Sequence, residues 1–371
     1  MSCQRSAVSM NYSARQTKLA TNLHRAGLEA MLVTHLPNIR YLCGFTGSAG
    51  VLLVLATRRG SGAVFYTDGR YTQQAAHEVQ AARVVIARKG ALVEACEHAG
   101  RVRIKALGVE SEHLSYASYR HLGQVLRGRT RLKPLAGAVE QLRLIKDQEE
   151  IAQIRASVLL GASLFPAALA AIRPGVSEAV VAGELELQAR RAGAEGMSFE
   201  SIVAAGPRSA LPHGRASAQP IPGHGFVILD WGVILAGYCS DATRTVHMGP
   251  ASKAHQGMYQ AVREAQLASI DAVRPGVEAG KVDQAGRLVL KKAGYGAYFT
   301  HSTGHGVGIE VHEAPRLAKG QKQKLAPGMI VTIEPGIYMP HEGGVRIEDM
   351  VLVTESGCEI LTPTPKDFIT L

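Results

Sequence analysis

A block of roughly 100 residues occurs twice in the second part of this 371-residue chain, and this repeat limits the folds open to it. The run Ile172–Val176 (Ile-Arg-Pro-Gly-Val) recurs 101 residues later as Val273–Val277 (Val-Arg-Pro-Gly-Val). Alone, Arg-Pro-Gly-Val is only a common helix stop, because Pro and Gly both interrupt helices. A period near 100 residues is too long for a solenoid unit. The repeat therefore predicts an α+β domain of two related halves, each with a helix, a break, a second helix and a hairpin.

Each predicted hairpin carries two acids at the ends of its strands. In the first half, Phe226–Asp230 is a predicted buried strand, and Tyr238–Val246 returns antiparallel after a turn-prone stretch. In the second half, Met329–Glu334 and Gly344–Asp349 repeat this pattern. Side-by-side hairpins would bring the acids together at a pseudo-twofold axis. These acids are Asp230 and Asp241 in the first half, and Glu334 and Glu348 in the second.

Converging carboxylates on apolar strands imply bound cations, because a buried carboxylate is costly without compensation. The alternative is four acids exposed at strand ends, each satisfied by water or by Arg, and the agreement between two hairpins disfavours it. Four carboxylates and the imidazole of His305 suit Mn²⁺, Co²⁺, Fe²⁺ or Zn²⁺ rather than a thiolate-bound structural zinc. The predicted ligands of a dinuclear metal site are Asp230, Asp241, His305, Glu334 and Glu348.

Three more histidines, His213, His301 and His312, flank the predicted ligands. The glycine-rich run Gly304–Gly308 lets the backbone approach a metal or substrate closely. It lacks the spacing and the strand-to-helix context of a dinucleotide fingerprint. A lone histidine is more often structural than functional, so these three remain candidates.

The composition is that of a globular protein with room for two cores, with 46% hydrophobic residues. No apolar run is expected to be long enough to span a bilayer. The polar residues Met1–Ser6 show no signal-peptide core. The five cysteines have no Cys-x-x-Cys spacing, which favours reduced thiols in a cytoplasm over a disulfide framework.

Positive charge is concentrated in residues 1–140, which hold 19 Lys and Arg against 8 Asp and Glu, whereas the remainder holds 22 and 23. A basic region is one feature of nucleic-acid-binding proteins. Here the arginines are dispersed apart from a short cluster in Arg127–Lys133, and no nucleic-acid motif accompanies them. We therefore expect a solvated surface, with neither nucleic acid nor a membrane as a partner.

The N-terminal part alternates helix and strand, which predicts an α/β domain. The segment Leu142–Glu150 is a predicted linker into a long helix with Asp147 as its N-cap. We place the two domains at residues 1–137 and 138–371. The predicted N-terminal elements are a helix over Ala14–Ala26, buried strands at Ala30–Val33, Val51–Leu55 and Ala63–Thr67, and a helix from Tyr71.

With these motifs the chain resembles the pita-bread metallopeptidases, which include methionine aminopeptidase, aminopeptidase P and prolidase. Tyr41–Ser48 and Thr67–Tyr71 are similar to the creatinase-type N-terminal domain of aminopeptidase P and prolidase, which methionine aminopeptidases lack. The resemblance covers nearly the whole chain. It implies an α+β fold whose C-terminal pita-bread catalytic domain is duplicated about a pseudo-twofold axis. A smaller α/β creatinase-type N-terminal domain precedes it in the chain.

The resemblance also assigns metal ligands. Two divalent ions per chain are implied, with Mn²⁺ favoured and Co²⁺, Zn²⁺ or Fe²⁺ as alternatives. Asp230 would chelate one ion, and His305 and Glu334 would bind mainly the other. Asp241 and Glu348 would bridge both.

The remaining roles concern the substrate. A water activated by the two ions would lose its proton to Glu334 as general base. His312 would stabilise the oxyanion, with His213 assisting. His301 would contact the substrate, and Arg346 would steady the bridging network.

The implied reaction is release of an N-terminal residue that precedes proline (Xaa-Pro). Arg316, one helical-turn distance beyond His312, matches a prolidase arginine that meets the proline carboxylate, which slightly favours a dipeptidase. An arginine that only covers the surface is an equally favoured interpretation of Arg316. The second function considered is that of an aminopeptidase P, which acts on longer peptides. A creatinase-type amidinohydrolase is disfavoured because it would not retain all five ligands. A non-catalytic pita-bread module is a remoter alternative, and the resemblance implies a homodimer.

Overall fold

The computed structural model describes residues 10–57 and 60–371, which form two compact units, Met1–Arg143 and Leu144–Leu371. The domain limits 1–137 and 138–371 stay a prediction. The polar segment Met1–Ser6 and Cys3 lie outside the described residues. The other four cysteines, Cys43, Cys96, Cys239 and Cys358, are free thiols.

The N-terminal unit is an α/β layer built on one six-stranded sheet, with strand order β4-β3-β2-β1-β5-β6. Its strands are β1 (Ala30–Val33), β2 (Val51–Thr57), β3 (Gly60–Thr67), β4 (Arg83–Ile86), β5 (Ala106–Glu110) and β6 (Arg131–Leu135). Its helices are α1 (Tyr12–Arg25), α2 (Leu36–Cys43), α3 (Thr72–Glu78), α4 (Ala91–Arg101), α5 (Tyr116–Leu126) and α6 (Glu140–Arg143).

The sheet forms where the sequence predicts it because its central strands are continuously apolar. All four residues of β1 are buried, and Leu32, Leu53 and Leu107 share one core with α4 and α5. The basic cluster lies around the edge strand β6, where Arg127, Arg129, Arg131 and Lys133 are exposed. Exposed charge on an edge strand hinders pairing with another sheet.

The C-terminal unit packs helices against antiparallel sheets. Its helices are α7 (Gln148–Ser163), α8 (Phe165–Ala171), α9 (Glu178–Arg191), α10 (Lys253–Asp271) and α11 (Ala279–Lys292). Its strands are β7 (Gly196–Met197), β8 (Ile202–Ala205), β9 (Gly225–Trp231), β10 (Val233–Leu235), β11 (Tyr238–Cys239), β12 (Ala242–Met248), β13 (Gly304–Gly306), β14 (Glu313–Leu317), β15 (Ile330–Ile333), β16 (Gly336–Met339), β17 (Gly343–Arg346), β18 (Asp349–Val353) and β19 (Cys358–Ile360).

The duplication appears in the sheet order. In the first half, β9 lies between β8 and β12, and in the second half β15 lies between β13 and β18. A short strand pair follows each first acid-bearing strand: β10 with β11, and β16 with β17. The stretch 231–237, expected to be only a turn, therefore contains strand β10.

The two Arg-Pro-Gly-Val breaks also have the same geometry. Gly175 and Gly276 have φ of 85° and 84°, a left-handed conformation that favours glycine. The Gly175 N–H donates to Ile221 O at 2.9 Å, and the Gly276 N–H donates to Leu325 O at 2.8 Å. The break therefore ends a helix and also holds the loop before the following strands.

The long helical segment at the start of this unit contradicts the expectation that no apolar run is long enough to span a bilayer. Asp147 is the N-cap of helix α7, as predicted, and its side chain accepts from the Glu150 N–H in a capping box. The segment Gln148–Ala171 is nevertheless long and apolar enough to cross a bilayer, by length and composition only. The core helix of a soluble protein passes the same test, and Ile154, Val158 and Ala168 are buried inside this unit.

Candidate active site

The first pair of acids lies at the open end of the β9–β12 hairpin. Register pairs Asp230 with Thr243, and Asp241 directly precedes β12. Both aspartates are nearly buried, with 9% and 5% of their surface exposed. The β9 residues before Asp230 are apolar, and Val227, Ile228 and Leu229 are fully buried.

The second pair repeats this placement one hairpin away. Glu334 directly follows β15, Glu348 directly precedes β18, and the register pairs Ile333 with Asp349. The Glu348 N–H donates to Thr243 O at 3.1 Å, and the Thr243 hydroxyl donates to the Glu348 carboxylate at 2.7 Å. These bonds join the two hairpins at their acid-bearing ends.

His305, on β13, completes the group. Its Nε2 lies 3.7 Å from Asp241 Oδ2 and 3.5 Å from Glu334 Oε1. Its Nδ1 lies 3.0 Å from Gly306 O, which can only accept, so Nδ1 carries the proton. The lone pair of Nε2 therefore faces the carboxylates, as a metal-ligating histidine requires.

One carboxylate oxygen in the group is buried without a partner. Arg346 donates from Nη2 to Asp230 Oδ2 at 2.7 Å. Asp230 Oδ1 has no hydrogen-bond partner among the described residues. A buried orphan acceptor is costly, and a bound cation would satisfy it.

Burial and mutual repulsion change the protonation of the group. Burial, followed by the charges of the neighbouring carboxylates, raises the pKa of Asp241 and Glu348 well above their ordinary values. Burial raises the pKa of Glu334 to about 8. Burial lowers the pKa of His305 to about 4, so this imidazole is neutral at pH 7. Without bound cations, burial and mutual repulsion favour the protonated form of these carboxyl groups. Divalent cations would supply the positive charge that favours their ionised form.

The donor set fits such cations. One ligand atom each from Asp241, His305 and Glu348 lies within 4.8 Å of the other two. Oxygen donors with a single imidazole suit divalent ions such as Mn²⁺, Co²⁺, Fe²⁺ and Zn²⁺.

These residues lie in a cavity of about 680 Å³. All ten residues predicted for the site line it: Asp230, Asp241, His305, Glu334, Glu348, His213, His301, His312, Arg316 and Arg346. The structure thus brings the whole predicted set to one place. The sequence did not single out seven further lining residues, which are Phe199, Glu200, Ile202, Pro212, Arg215, Ser302 and Glu313.

The three histidines predicted beside the metal ligands have different surroundings. His312 packs against His305, with ring centroids 4.4 Å apart. His301 donates from Nδ1 to Ser302 O at 2.8 Å, and its Nε2 accepts from the Tyr338 hydroxyl at 2.9 Å. His213 lies in an exposed loop at the cavity wall.

Tyr338 and Thr243 are two functional candidates that the sequence analysis missed. The Tyr338 hydroxyl accepts from Arg346 Nη1 at 2.7 Å and so links Arg346 to His301. Thr243 accepts from Arg346 Nε at 3.1 Å. Strand alternation was the available signal for Thr243, since residues two apart share a face and it lies two residues after Asp241.

Arg316 lies on a strand, which corrects the comparison of its spacing with a helical turn. β14 contains Arg316, and the ladder with β13 pairs it with His305. The side chain is exposed and lines the cavity. Strand pairing, rather than a helical turn, therefore places it beside the predicted ligands.

The comparisons with known proteins agree with this geometry. The metallopeptidase family M24 matches residues 152–355, and the creatinase/prolidase N-terminal domain matches residues 15–145. Fold, acid-rich cavity and matches together define a metal-dependent peptidase, a hydrolase that uses divalent metal ions. The chain belongs to metallopeptidase family M24, with the pita-bread fold in its C-terminal unit and a creatinase-like N-terminal unit.

Several relatives match over almost their whole length. The uncharacterized peptidase YqhT of Bacillus subtilis is 42% identical over 95% of this chain and 99% of that protein. The structure of the Xaa-Pro dipeptidase from Bacillus anthracis has a TM-score of 0.93 at 41% identity, over 97% of this chain and 100% of that one. The X-Pro aminopeptidase from Thermotoga maritima has a TM-score of 0.86 at 33% identity, over 94% and 100%.

Proposed function

We propose that this protein is a dinuclear-metal exopeptidase that releases the residue before proline from small peptides, with a preference for Xaa-Pro dipeptides. The observation that carries the proposal is the convergence of four carboxylates and one imidazole in a single cavity. Relatives described as Xaa-Pro dipeptidases, at 34% and 41% identity, support the Xaa-Pro substrate class.

The metal ligands are assigned by position. Asp230 would hold one ion, His305 and Glu334 would hold mainly the other, and Asp241 and Glu348 would be shared between the two. The unpartnered Asp230 Oδ1 and the Nε2 lone pair of His305 support this assignment. When bound, two such ions supply Lewis acidity and lower the pKa of water in the site.

The proton is handled by residues of the chain. The Glu334 carboxylate takes the proton of the attacking water, and its position in the cavity, 3.5 Å from His305, supports this role. His312, which packs on His305, donates to the developing oxyanion, and His213 on the loop assists. His301 contacts the substrate while Tyr338 and Arg346 hold its ring in place.

Both ends of a dipeptide find opposite charges in the cavity. The free α-amino group lies beside Asp230, which restricts the enzyme to N-terminal residues. The exposed guanidinium of Arg316 meets the carboxylate of the proline, and charge-assisted pairing favours this contact. The similarity to an X-Pro aminopeptidase keeps longer peptides as the second candidate substrate.

The decisive experiment compares Arg316→Ala with the parent protein on an Xaa-Pro dipeptide and on the corresponding tripeptide. Loss of the carboxylate contact is expected to raise KM for the dipeptide roughly tenfold, since a hydrogen bond to a charged group contributes about 1.5–3 kcal/mol. The tripeptide, whose carboxylate lies one residue further on, should change little. Arg215→Ala is a matched control, because Arg215 also lines the cavity and is exposed. Equal effects on both peptides would remove the dipeptidase preference and favour the aminopeptidase.

Three further properties belong to this proposal. Mn²⁺ is the favoured ion, the assembly is a homodimer, and the protein works in the cytoplasm. Elemental analysis of the purified protein and sedimentation velocity test the first two, and fractionation of cells tests the third.

A further inference from the structure

A second group of metal-binding side chains lies away from the candidate active site. His224 directly precedes β9, His247 lies in β12, and His255 is in the first turn of α10. One ligand nitrogen from each ring lies within 4.8 Å of those of the other two. His247 pairs in register with Phe226, four residues along β9 from Asp230, which is about 13 Å of extended strand. The cluster is thus at the opposite end of the strand from the acids.

An oxygen atom lies behind each of the three rings. His247 Nδ1 lies 2.9 Å from Gly249 O, and His224 Nε2 lies 3.0 Å from Pro250 O. A carbonyl only accepts, so both of these nitrogens carry the proton, and the other nitrogen of each ring keeps its lone pair. Metal-ligating histidines show this arrangement, in which an outer oxygen fixes the tautomer.

The third ring is paired with the second. His247 Nε2 lies 2.9 Å from His255 Nδ1, and His255 Nε2 lies 4.0 Å from the Glu342 carboxylate. Without a cation, the proton of neutral His255 lies on Nδ1 and is donated to His247. For a cation to bind, this proton moves to Nε2, where the Glu342 carboxylate accepts it. The move leaves Nδ1 with a lone pair for the cation. The result is a carboxylate–histidine–metal triad.

The spacing requires only a small adjustment. Two nitrogens bound to one tetrahedral Zn²⁺ at about 2.0–2.1 Å lie about 3.3 Å apart, a few tenths of an ångström more than His247 and His255 show. His247 is fully buried against Phe226, whereas His224 is exposed, so water has access to the fourth position. Burial also lowers the pKa of His247 and His255, which keeps both rings in the neutral form that binds metals.

We propose that His224, His247 and His255 form a second, mononuclear site for a borderline divalent ion of the Zn²⁺ class. Three imidazoles select Zn²⁺, Cu²⁺ or Ni²⁺ over the harder Mg²⁺ and Ca²⁺. The ion would tie together the start of β9, the end of β12 and the start of α10. Its role is to hold the base of the strands that carry the first pair of acids.

The test uses Zn²⁺ alone on a background in which Asp241→Asn and Glu348→Gln disable the acid-rich site. Isothermal titration of this background is expected to show one bound Zn²⁺ per chain. Adding His224→Ala should remove it, and His224 is exposed, so the variant should fold. His255→Ala should do the same, with circular dichroism of the metal-free protein as the check on folding.

Two further variants sharpen the test. Glu342→Gln should weaken Zn²⁺ binding roughly 10–100-fold without abolishing it, as expected when an outer carboxylate is lost. The control His121→Ala changes an exposed histidine on α5 and should leave the titration unchanged.

With the acid-rich site intact, His224→Ala should lower the total bound Zn²⁺ by one equivalent, as measured by elemental analysis. The proposal is overturned if the background binds no Zn²⁺, or if His224→Ala and His255→Ala leave its Zn²⁺ binding intact.

Discussion

The two halves of the C-terminal unit share a scaffold but contribute different chemistry. The first half supplies two aspartates from β9 and the start of β12, and the second supplies two glutamates and His305. Their short strand pairs differ more. The β16–β17 pair carries Tyr338 and Arg346 into the site, whereas the β10–β11 pair carries Tyr238, which donates to Glu150 at 3.2 Å instead.

This difference shows that the acids keep matching positions in both halves, while the short strand pairs have diverged in what their side chains contact. Contacts between the halves then hold the acids together. Arg346 of the second half binds Asp230 of the first, and Thr243 of the first binds Glu348 of the second. Variants matched between the halves can separate these contributions.

The largest effect is expected when either half loses a bridging ligand. Asp241→Asn and Glu348→Gln should each lower kcat/KM by more than the roughly 100-fold that follows loss of an outer-shell partner. Both variants should also bind less than the full complement of divalent metal, as measured by elemental analysis after dialysis. If only one of the two variants lost activity, the proposed sharing of ligands between the halves would be wrong.

The next largest effect concerns a buried arginine that joins the halves. Arg244 on β12 bonds Glu348 O at 2.6 Å and Asp349 at 2.8 Å, with only 1% of its surface exposed. Arg244→Ala should lower the free energy of unfolding by about 3–5 kcal/mol, because a buried charge network loses its centre. Urea denaturation measures the change.

The matched control joins the same halves at the surface. Arg155 pairs with Glu359, and their side chains are 38% and 46% exposed. Arg155→Ala should cost about 0.2–1 kcal/mol because solvent screens an exposed pair. Similar losses in the two variants would show that burial of Arg244 is unimportant.

A smaller effect is expected from pH in the metal-free protein. Burial raises the pKa of Glu334 from its ordinary 4.5 to about 8, so the folded chain holds a proton that the unfolded chain has released between these values. Stability should therefore fall as pH rises through this window, by up to about 1.4 kcal/mol per unit for this carboxyl. Urea midpoints at pH 5, 6 and 7 after removal of metal measure the slope. Glu334→Gln should reduce the slope, and an unchanged slope would assign it to other groups.

The smallest effect separates the buried tyrosines of the two short strand pairs, Tyr338 and Tyr238. Tyr338→Phe removes the hydroxyl that joins His301 to Arg346 and should lower kcat roughly tenfold, in the range for an outer-shell contact. Tyr238→Phe should leave kcat unchanged and cost about 0.5–1.5 kcal/mol of stability. Steady-state kinetics measure kcat for both variants. Equal kcat values would show that the Tyr338 hydroxyl does not position His301.

The sequence was informative where local pattern and global fold agree. Apolar runs ending in acids predicted strands β9 and β15, and the Arg-Pro-Gly-Val repeat predicted the duplication, since Gly175 and Gly276 adopt the same left-handed turn. The predicted return strand Gly344–Asp349 was wrong in its bounds, because Gly343–Arg346 pairs with β16 and the partner of β15 is Asp349–Val353. The Asp147 cap was readable because the capping box is a local motif.

Features that depend on contacts between distant parts of the chain could not be predicted from local sequence patterns. Tyr338 resembles any strand tyrosine until the fold brings Arg346 and His301 to its hydroxyl. The cluster of His224, His247 and His255 joins residues from three elements, and no spacing motif marks it. The apolar length of Gln148–Ala171 was underestimated because two helices follow one another with only Leu164 between them.

The division of the acids between the two hairpins has a consequence for the origin of the enzyme. A single ancestral half would have carried only one pair of acids, half of the carboxylates in the proposed metal site. Two copies related by a twofold axis would have brought four acids together, because an isologous interface places the same residues of both copies at the axis. The cavity would then be older than the single chain, having first existed as the interface of a homodimer, and gene fusion later allowed its two sides to diverge.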